Sequence, residues 1–256
     1  MLTEAPCHAT ELTRAALAEG CTAVVAVGGD GTVNEVAQAL VGTPASLGLV
    51  PLGSGNGLAR DLGVPLRTAA ALEVLLHGRP RMIDVGYAND RPFFCAMGTG
   101  FDADLVQRFN QCTRRGLATY LRLGALQWWR QRPERFTVRD GNTRMELTAL
   151  LVAVANAAQF GNNARIAPGA RVDDGLLDLV VVPPATLGNA LPLAWRLFAG
   201  TLDRHPQVRR LCASSFTIER ARPGLFHTDG ELGPPVARIE VAVRPSALRV
   251  LVPAAR

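Results

Sequence analysis

The chain contains no lysine: all 27 basic residues among its 256 are arginines. That absence excludes a Walker-A phosphate lysine, the strand lysine of protein kinases and any lysine Schiff base. A bound phosphate must then be held by arginine, by backbone N–H groups or by a metal ion. Cysteine is sparse as well. Cys7, Cys21, Cys95, Cys112 and Cys212 lie far apart and never form a C-x-x-C pair, so neither a zinc ribbon nor a disulfide framework is indicated, and a reducing cytoplasm fits best. The histidines (His8, His77, His205, His227) lack metal-ligand spacing. No apolar run approaches the roughly 18 residues of a spanning helix. The first residues carry Glu4 and Glu11 with no basic region ahead of an apolar stretch. We therefore expect neither a transmembrane segment nor an export signal.

What is present is enough for one large domain or two small ones, because 48% of the residues are apolar and can fill a core. The net charge of +5 suits nucleic acid, anionic lipid or a polyanionic nucleotide, and charge alone does not choose among them.

The chain opens with a helical pattern from Thr10 to Glu19, closed by Gly20, and a β-branched strand from Thr22 to Val27. A glycine-rich turn follows, and Val33, Val36, Ala37 and Leu40 then fall at i, i+3, i+4, i+7 of a helix. The cycle repeats: strand Leu47 to Leu52, turn Gly53 to Gly57, helix from Leu58. Two strand–glycine–helix units in tandem predict a parallel α/β sheet. After a helix at Ala69 to Leu76 and a strand at Arg81 to Val85, the texture changes to hairpins, with a clear turn after Phe136 to Arg139. Strands at Leu147 to Ala155, Leu176 to Val182, Ser214 to Glu219 and Arg238 to Val243 predict a sandwich-like second domain, interrupted by helices near Leu117 to Arg130 and Leu187 to Leu197.

Gly28-Gly29-Asp30-Gly31-Thr32 stands where a strand hands over to a helix, so the backbone can approach a phosphate while the helix N-terminus supplies N–H donors. A tight βα turn would explain some of these residues, but three glycines and an acid in five positions exceed its needs. Gly53 to Gly57 repeats the placement, with Ser54 and Asn56 as small polar donors. Asp173-Asp174-Gly175 and Asp229-Gly230-Glu231 read as ordinary turns when taken singly. Together with Asp30 and Asp84 they form a set of carboxylates near glycines, which points to Mg²⁺ and leaves a carboxylate to act as general base. Arg114, Arg115, Tyr120, Arg122, Trp128, Trp129, Arg130, Arg132 and Arg135 mix cations with aromatics on or beside a helix. They make either a solvated rim or a membrane-docking face. His227, two residues before Asp229, contacts nucleotide or nothing.

These motifs, in order, are Val-Gly-Gly-Asp-Gly-Thr-Val-Asn-Glu-Val at 27–36, Pro-Leu-Gly-Ser-Gly-Asn at 51–56, Ile-Asp-Val-Gly at 83–86, Ala-Pro-Gly-Ala-Arg-Val-Asp-Asp-Gly-Leu-Leu-Asp at 167–178 and Asp-Gly-Glu at 229–231. The set resembles the bacterial diacylglycerol kinase and lipid kinase family, related to sphingosine kinases. The resemblance implies an ATP- and Mg²⁺-dependent kinase of a diacylglycerol-like lipid. Its α/β nucleotide domain would be residues 1–86 with a return segment 246–256, and its β-rich lipid domain residues 87–245. By the same resemblance Gly28, Gly29, Asp30, Gly31, Thr32, Val33, Asn34 and Ser54 line the ATP site, with Thr3 a further contact. Asp174 holds a metal with the backbone oxygens of Arg171 and Leu176, while Asp30, Asp84 and Asp229 form a water-bridged acidic network and Glu231 accepts the proton. It also implies a cytoplasmic protein peripheral to the inner membrane surface, with a lipid partner and no nucleic acid, a homodimer being left open. Relatives open with a strand ending in an Asn-Pro-x-Ser-Gly-like loop, which nothing before Thr3 supplies. We expect its loss, if real, to leave an exposed sheet edge and apolar surface. Two rivals remain: a soluble-substrate kinase of the NAD kinase type, and a catalytically impaired lipid-binding module.

Overall fold

The computed structural model describes residues 1–112, 117–128, 133–141, 143–184, 186 and 188–254. Its first part is a βα alternation: α1 (His8–Ala18), β1 (Ala23–Gly28), α2 (Asp30–Leu40), β2 (Ser46–Pro51), α3 (Gly57–Asp61), α4 (Thr68–His77) and β3 (Arg79–Ala88). The second part contains β4 (Arg91–Phe93), β5 (Ala96–Gly100), α5 (Phe101–Asn110), α6 (Leu117–Trp128), β6 (Glu134–Arg139), β7 (Arg144–Ala149), β8 (Leu151–Ala155), β9 (Leu177–Val182), α7 (Ala190–Ala199), β10 (Arg209–Ala213), β11 (Ser215–Gly224), β12 (Phe226–Thr228), β13 (Glu231–Leu232) and the long β14 (Val236–Val252).

β14 joins the two parts. Its C-terminal half lies parallel to β2, its N-terminal half pairs antiparallel with β11, and β3 pairs with it along both halves. A break between Arg244 and Leu248, with Ser246 at φ 48°, lets one strand serve both parts. The second sheet runs β10-β9-β8-β5-β12-β13, all antiparallel, and Phe93, Met97, Phe136, Val152, Leu179, Phe226 and Val241 fill the space between the sheets. The fold is thus α/β with a β-sandwich second part, as expected. β1 forms one edge of the first sheet, and Val25 and Val27 on it are 41% and 55% exposed.

Several elements fall differently from their expected bounds. The apolar run Leu147 to Ala155 is two strands in different sheets: the chain turns a corner at Leu150, whose N–H bonds Val182 O and whose carbonyl accepts from Phe101. The helix expected from Leu187 begins at Ala190, after Asn189 and Thr186 bond each other across the turn. The helix from Leu58 lasts only through Asp61, stopped ahead of Gly63 at φ 71°. Of the segment rich in arginine and tryptophan, Arg114, Arg115, Trp129, Arg130 and Arg132 lie outside the described residues, while Arg122 and Arg135 are exposed.

Candidate active site

β1 and β2 run parallel in the register Gly28 to Pro51, so both glycine loops leave the same end of the sheet side by side. They interlock. A Cβ on Gly53 would stand 2.5 Å from the Cα of Gly29, and one on Gly55 would stand 2.5 Å from Oδ2 of Asp30. Asp30 clamps the pair: one carboxylate oxygen accepts the Asn56 N–H at 2.8 Å and the other the Gly57 N–H at 2.7 Å. Asn56, at φ 51°, closes its own loop by accepting from Gly53 N–H and donating to Gly53 O. The side chain of Thr32 packs under Gly28, and Val33 N–H bonds Gly29 O. Around Gly31, which is exposed, an added Cβ meets nothing within 4 Å. That opening faces the first turn of α2, whose N–H groups lack partners within the helix. Ser54 is exposed on the second loop, and Thr3 is exposed ahead of α1.

The second half of the site is the β12–β13 hairpin. Asp229 and Gly230 both have positive φ, 49° and 86°, the pattern of a tight two-residue hairpin turn. The half-buried Asp229 carboxylate accepts from the backbone N–H groups of Phe94 (2.7 Å), Cys95 (2.9 Å) and Ala96 (2.9 Å), and from the Asn34 side-chain amide (3.1 Å). Burial pushes its pKa up to about 6, against the pull of those backbone donors. Asp229 thereby ties α2 to the start of β5. Asp30, Asn34, Phe94, Cys95, Phe160 and Asp229 line a small pocket where the parts meet. Glu231, partly exposed on the same hairpin, has its pKa raised by burial; Arg91, 3.9 Å away, opposes the shift and Glu35 adds to it. A surface depression of about 680 Å³, bordered by Tyr87, Arg139 and Glu240, contains none of these motifs.

Behind the turn, His227, expected to contact nucleotide or nothing, is instead paired with Asp102, which had no signal in the sequence. His227 Nε2 is 2.7 Å from Asp102 Oδ2, both side chains are buried, and His227 Nδ1 accepts the Gly230 N–H at 3.3 Å. That arrangement puts the imidazole proton on Nε2 and braces the turn that carries Glu231. Gly98 makes room for it, since a Cβ there would meet Asp102 Oδ2 at 2.1 Å.

Asp84 and the Asp173-Asp174-Gly175 turn are elsewhere. Asp84 is buried, with one carboxylate oxygen on Gly175 N–H and the other on Ser246 N–H, both at 2.7 Å. Gly42, just past the end of α2, bonds Ala247 O, so this cluster lies near the far end of a helix about 16 Å long from the glycine loops. Asp84 connects to Asp229 indirectly, through Asn156, whose amide donates to Asp84 O and to Phe94 O. Asp174 is exposed and accepts from Leu176 N–H at 3.1 Å, while Asp173 pairs with Arg81 at 2.7 Å. No cluster of three or more His, Cys, Asp or Glu side chains that could hold a metal occurs among the described residues. Asp174 is an exposed hard-oxygen donor, of the kind Mg²⁺ takes while keeping most of its waters.

Residues 1–88 match the model of the diacylglycerol kinase catalytic domain, and residues 95–252 match that of the YegS C-terminal NAD kinase beta sandwich-like domain. A relative from Klebsiella pneumoniae named "Probable lipid kinase YegS-like" is 33% identical over 90% of this chain and 77% of its own length. "Probable lipid kinase YegS" of Salmonella paratyphi A is 31% identical over 91% and 79%. The crystal structure of a diacylglycerol kinase from Bacillus anthracis superposes with a TM-score of 0.75 at 20% identity, covering 98% of this chain and 84% of that one. An NAD kinase from Archaeoglobus fulgidus, solved with ATP, shares the fold at a TM-score of 0.51 and 12% identity over 91% of this chain and 78% of that one. The chain thus shares its fold with diacylglycerol and NAD kinases, and it belongs to the YegS-type lipid kinase family with a diacylglycerol kinase catalytic domain.

Proposed function

We propose that this protein transfers the γ-phosphoryl group of ATP to a hydroxyl of a diacylglycerol-like lipid, in a Mg²⁺-dependent reaction. Residues 1–86 with 246–256 would hold the nucleotide and residues 87–245 the lipid, with the protein acting from the cytoplasm at the inner membrane surface. The observation that carries this reading is the Asn34–Asp229 bond, which sets the Asp-Gly-Glu turn beside the interlocked glycine loops.

In this reading Gly28, Gly29, Gly31, Thr32, Val33, Asn34 and Ser54 border the phosphates, held by backbone N–H groups and the α2 dipole because no lysine exists to do so. Asp30 keeps the two loops in register. The lipid hydroxyl oxygen attacks the γ-phosphorus, its proton passes to the Glu231 carboxylate, and ADP departs with the bridging oxygen. Catalysis is chiefly positioning and charge neutralisation. Mg²⁺, when bound by Asp174 and the backbone oxygens of Arg171 and Leu176, would supply charge to a turn at the far end of α2, fixing the sandwich against β3 and β14.

The test offers γ-radiolabelled ATP with dispersed diacylglycerol and, separately, with NAD. Label extracted with the lipid supports the proposal. Label on NAD would replace it with the soluble-substrate reading, and no transfer despite lipid binding would replace it with the impaired module.

A further inference from the structure

Between Asp178 and Asp203 the only charged residue is Arg196, and α7 lies within this stretch. One face of α7 is anchored: Leu193 is buried and Leu197 packs on the same apolar cluster, over the outer face of the second sheet. The other face has no cover among the described residues. Leu191 is 79% exposed and Trp195 67%, with exposed Ala194 between them and partly exposed Phe198 beyond, at i, i+3, i+4 and i+7. A helix apolar on both faces is normally buried in protein or membrane. Arginines gather at its C-terminal end. Arg165 packs against Gly200, Arg196 donates to Thr201 O, and exposed Arg204 follows in the next turn, with Asp203 beside them and Asp61 near enough to Arg165 to interact with it.

This helix is tied to the glycine loops. Arg165 N–H bonds Leu197 O at 2.9 Å, and Asn162 N–H bonds Gly55 O at 3.1 Å. Three residue steps, at most about 11 Å of chain, therefore separate α7 from the second glycine loop.

We propose that the outer face of α7 seats on an anionic phospholipid bilayer, with Leu191 and Trp195 entering the headgroup–acyl boundary and Arg165, Arg196 and Arg204 meeting lipid phosphates. The inference rests on the lipid-kinase reading, because a lipid acceptor must be reached at a membrane. The charge of the rim selects a bilayer over an acidic peptide: the apolar stripe is flat and helical, bordered by cations at one end only, as in interfacial helices.

The test uses the whole chain with Trp128→Phe and Trp129→Phe, leaving Trp195 as the one indole. Vesicles of phosphatidylcholine mixed with phosphatidylglycerol should bind it and shift Trp195 emission to the blue, with quenching by lipids brominated in their chains. Leu191→Gln with Trp195→Gln, made in the natural background, should weaken vesicle binding about tenfold for each side chain. It should leave turnover of a monomeric short-chain diacylglycerol unchanged. Vesicle binding equal to that of the natural protein, or no vesicle binding by either, overturns the proposal. A dimer in sedimentation velocity that the double variant splits, with vesicle binding unaltered, would assign the face to a second copy instead. Loss of vesicle binding in a protein that phosphorylates no lipid would keep the docking face and sink the enzymatic reading alone.

Discussion

Gly53→Ala places a methyl group 2.5 Å from Gly29 Cα and 2.9 Å from Asn56 Oδ1. Carbon atoms rest about 3.5–4.0 Å apart, so the loops must separate by about 1 Å, and because the nearest atom is backbone no rotamer relieves the clash. Overpacking of this kind costs about 1–3 kcal/mol. For a chain of this size the melting temperature should fall by roughly 3–10 °C. Affinity for a non-hydrolysable ATP analogue should fall with it if the two loops hold phosphate as proposed, because the wedge pulls them apart. Gly31→Ala is the contrast. Its Cβ meets nothing within 4 Å, so the folded protein should melt at the same temperature or slightly higher, alanine being the better helix residue. If the open space at Gly31 is where phosphate approaches the α2 N-terminus, that variant should still bind the analogue more weakly. Circular dichroism melts and titration calorimetry on both variants separate the effects. A Gly53→Ala protein that melts and binds like the natural one would refute the interlocking; a destabilised Gly31→Ala would refute the open cradle.

Arg91→Gln removes the cation that lowers the Glu231 pKa, so that pKa should rise further and the acid limb of the pH–rate profile should move to higher pH, the base ionising later; a limb that stays put or moves down would contradict Glu231 as its source. Asp102→Ala leaves the buried His227 Nε2–H without its acceptor and should cost roughly 1–3 kcal/mol in denaturant unfolding, whereas a loss under about 0.5 kcal/mol would show that the pair is dispensable. Asp84→Ala frees two backbone N–H groups and should cost about 2–4 kcal/mol even without metal. Exposed Asp174→Ala should change metal-free stability by less than about 0.5 kcal/mol yet abolish any stabilisation by added Mg²⁺. Equal Mg²⁺ stabilisation in Asp174→Ala would move the metal elsewhere.

The α/β half was legible because its signals are local: β-branched strands, helical periodicity from Val33 to Leu40 and glycine loops at each handover. The motif residues were legible for the same reason, as were the general outlines of the sandwich. What the sequence concealed is set by distant contacts. β5 reads as Ala-Met-Gly-Thr-Gly, with no β-branched run, because Gly98 must clear Asp102 and His227. Asp102 sits on α5 and meets its partner 125 positions away. The carboxylates of Asp30 and Asp84 carry the same letter as a metal ligand would. Their employment on backbone N–H groups shows only once the loops are placed.

In the proposed reaction Glu231 receives the proton of a lipid hydroxyl while the glycine loops hold ATP independently of it. The most direct measurement compares the natural protein with Glu231→Gln, following in one preparation both the transfer of label from γ-labelled ATP into dispersed diacylglycerol and the affinity for ATP. Loss of a positioned base predicts a fall in kcat of roughly 10²–10⁴-fold with ATP affinity held within severalfold. Turnover near that of the natural protein would remove Glu231 from the reaction, and a parallel loss of ATP affinity would place it in nucleotide binding instead.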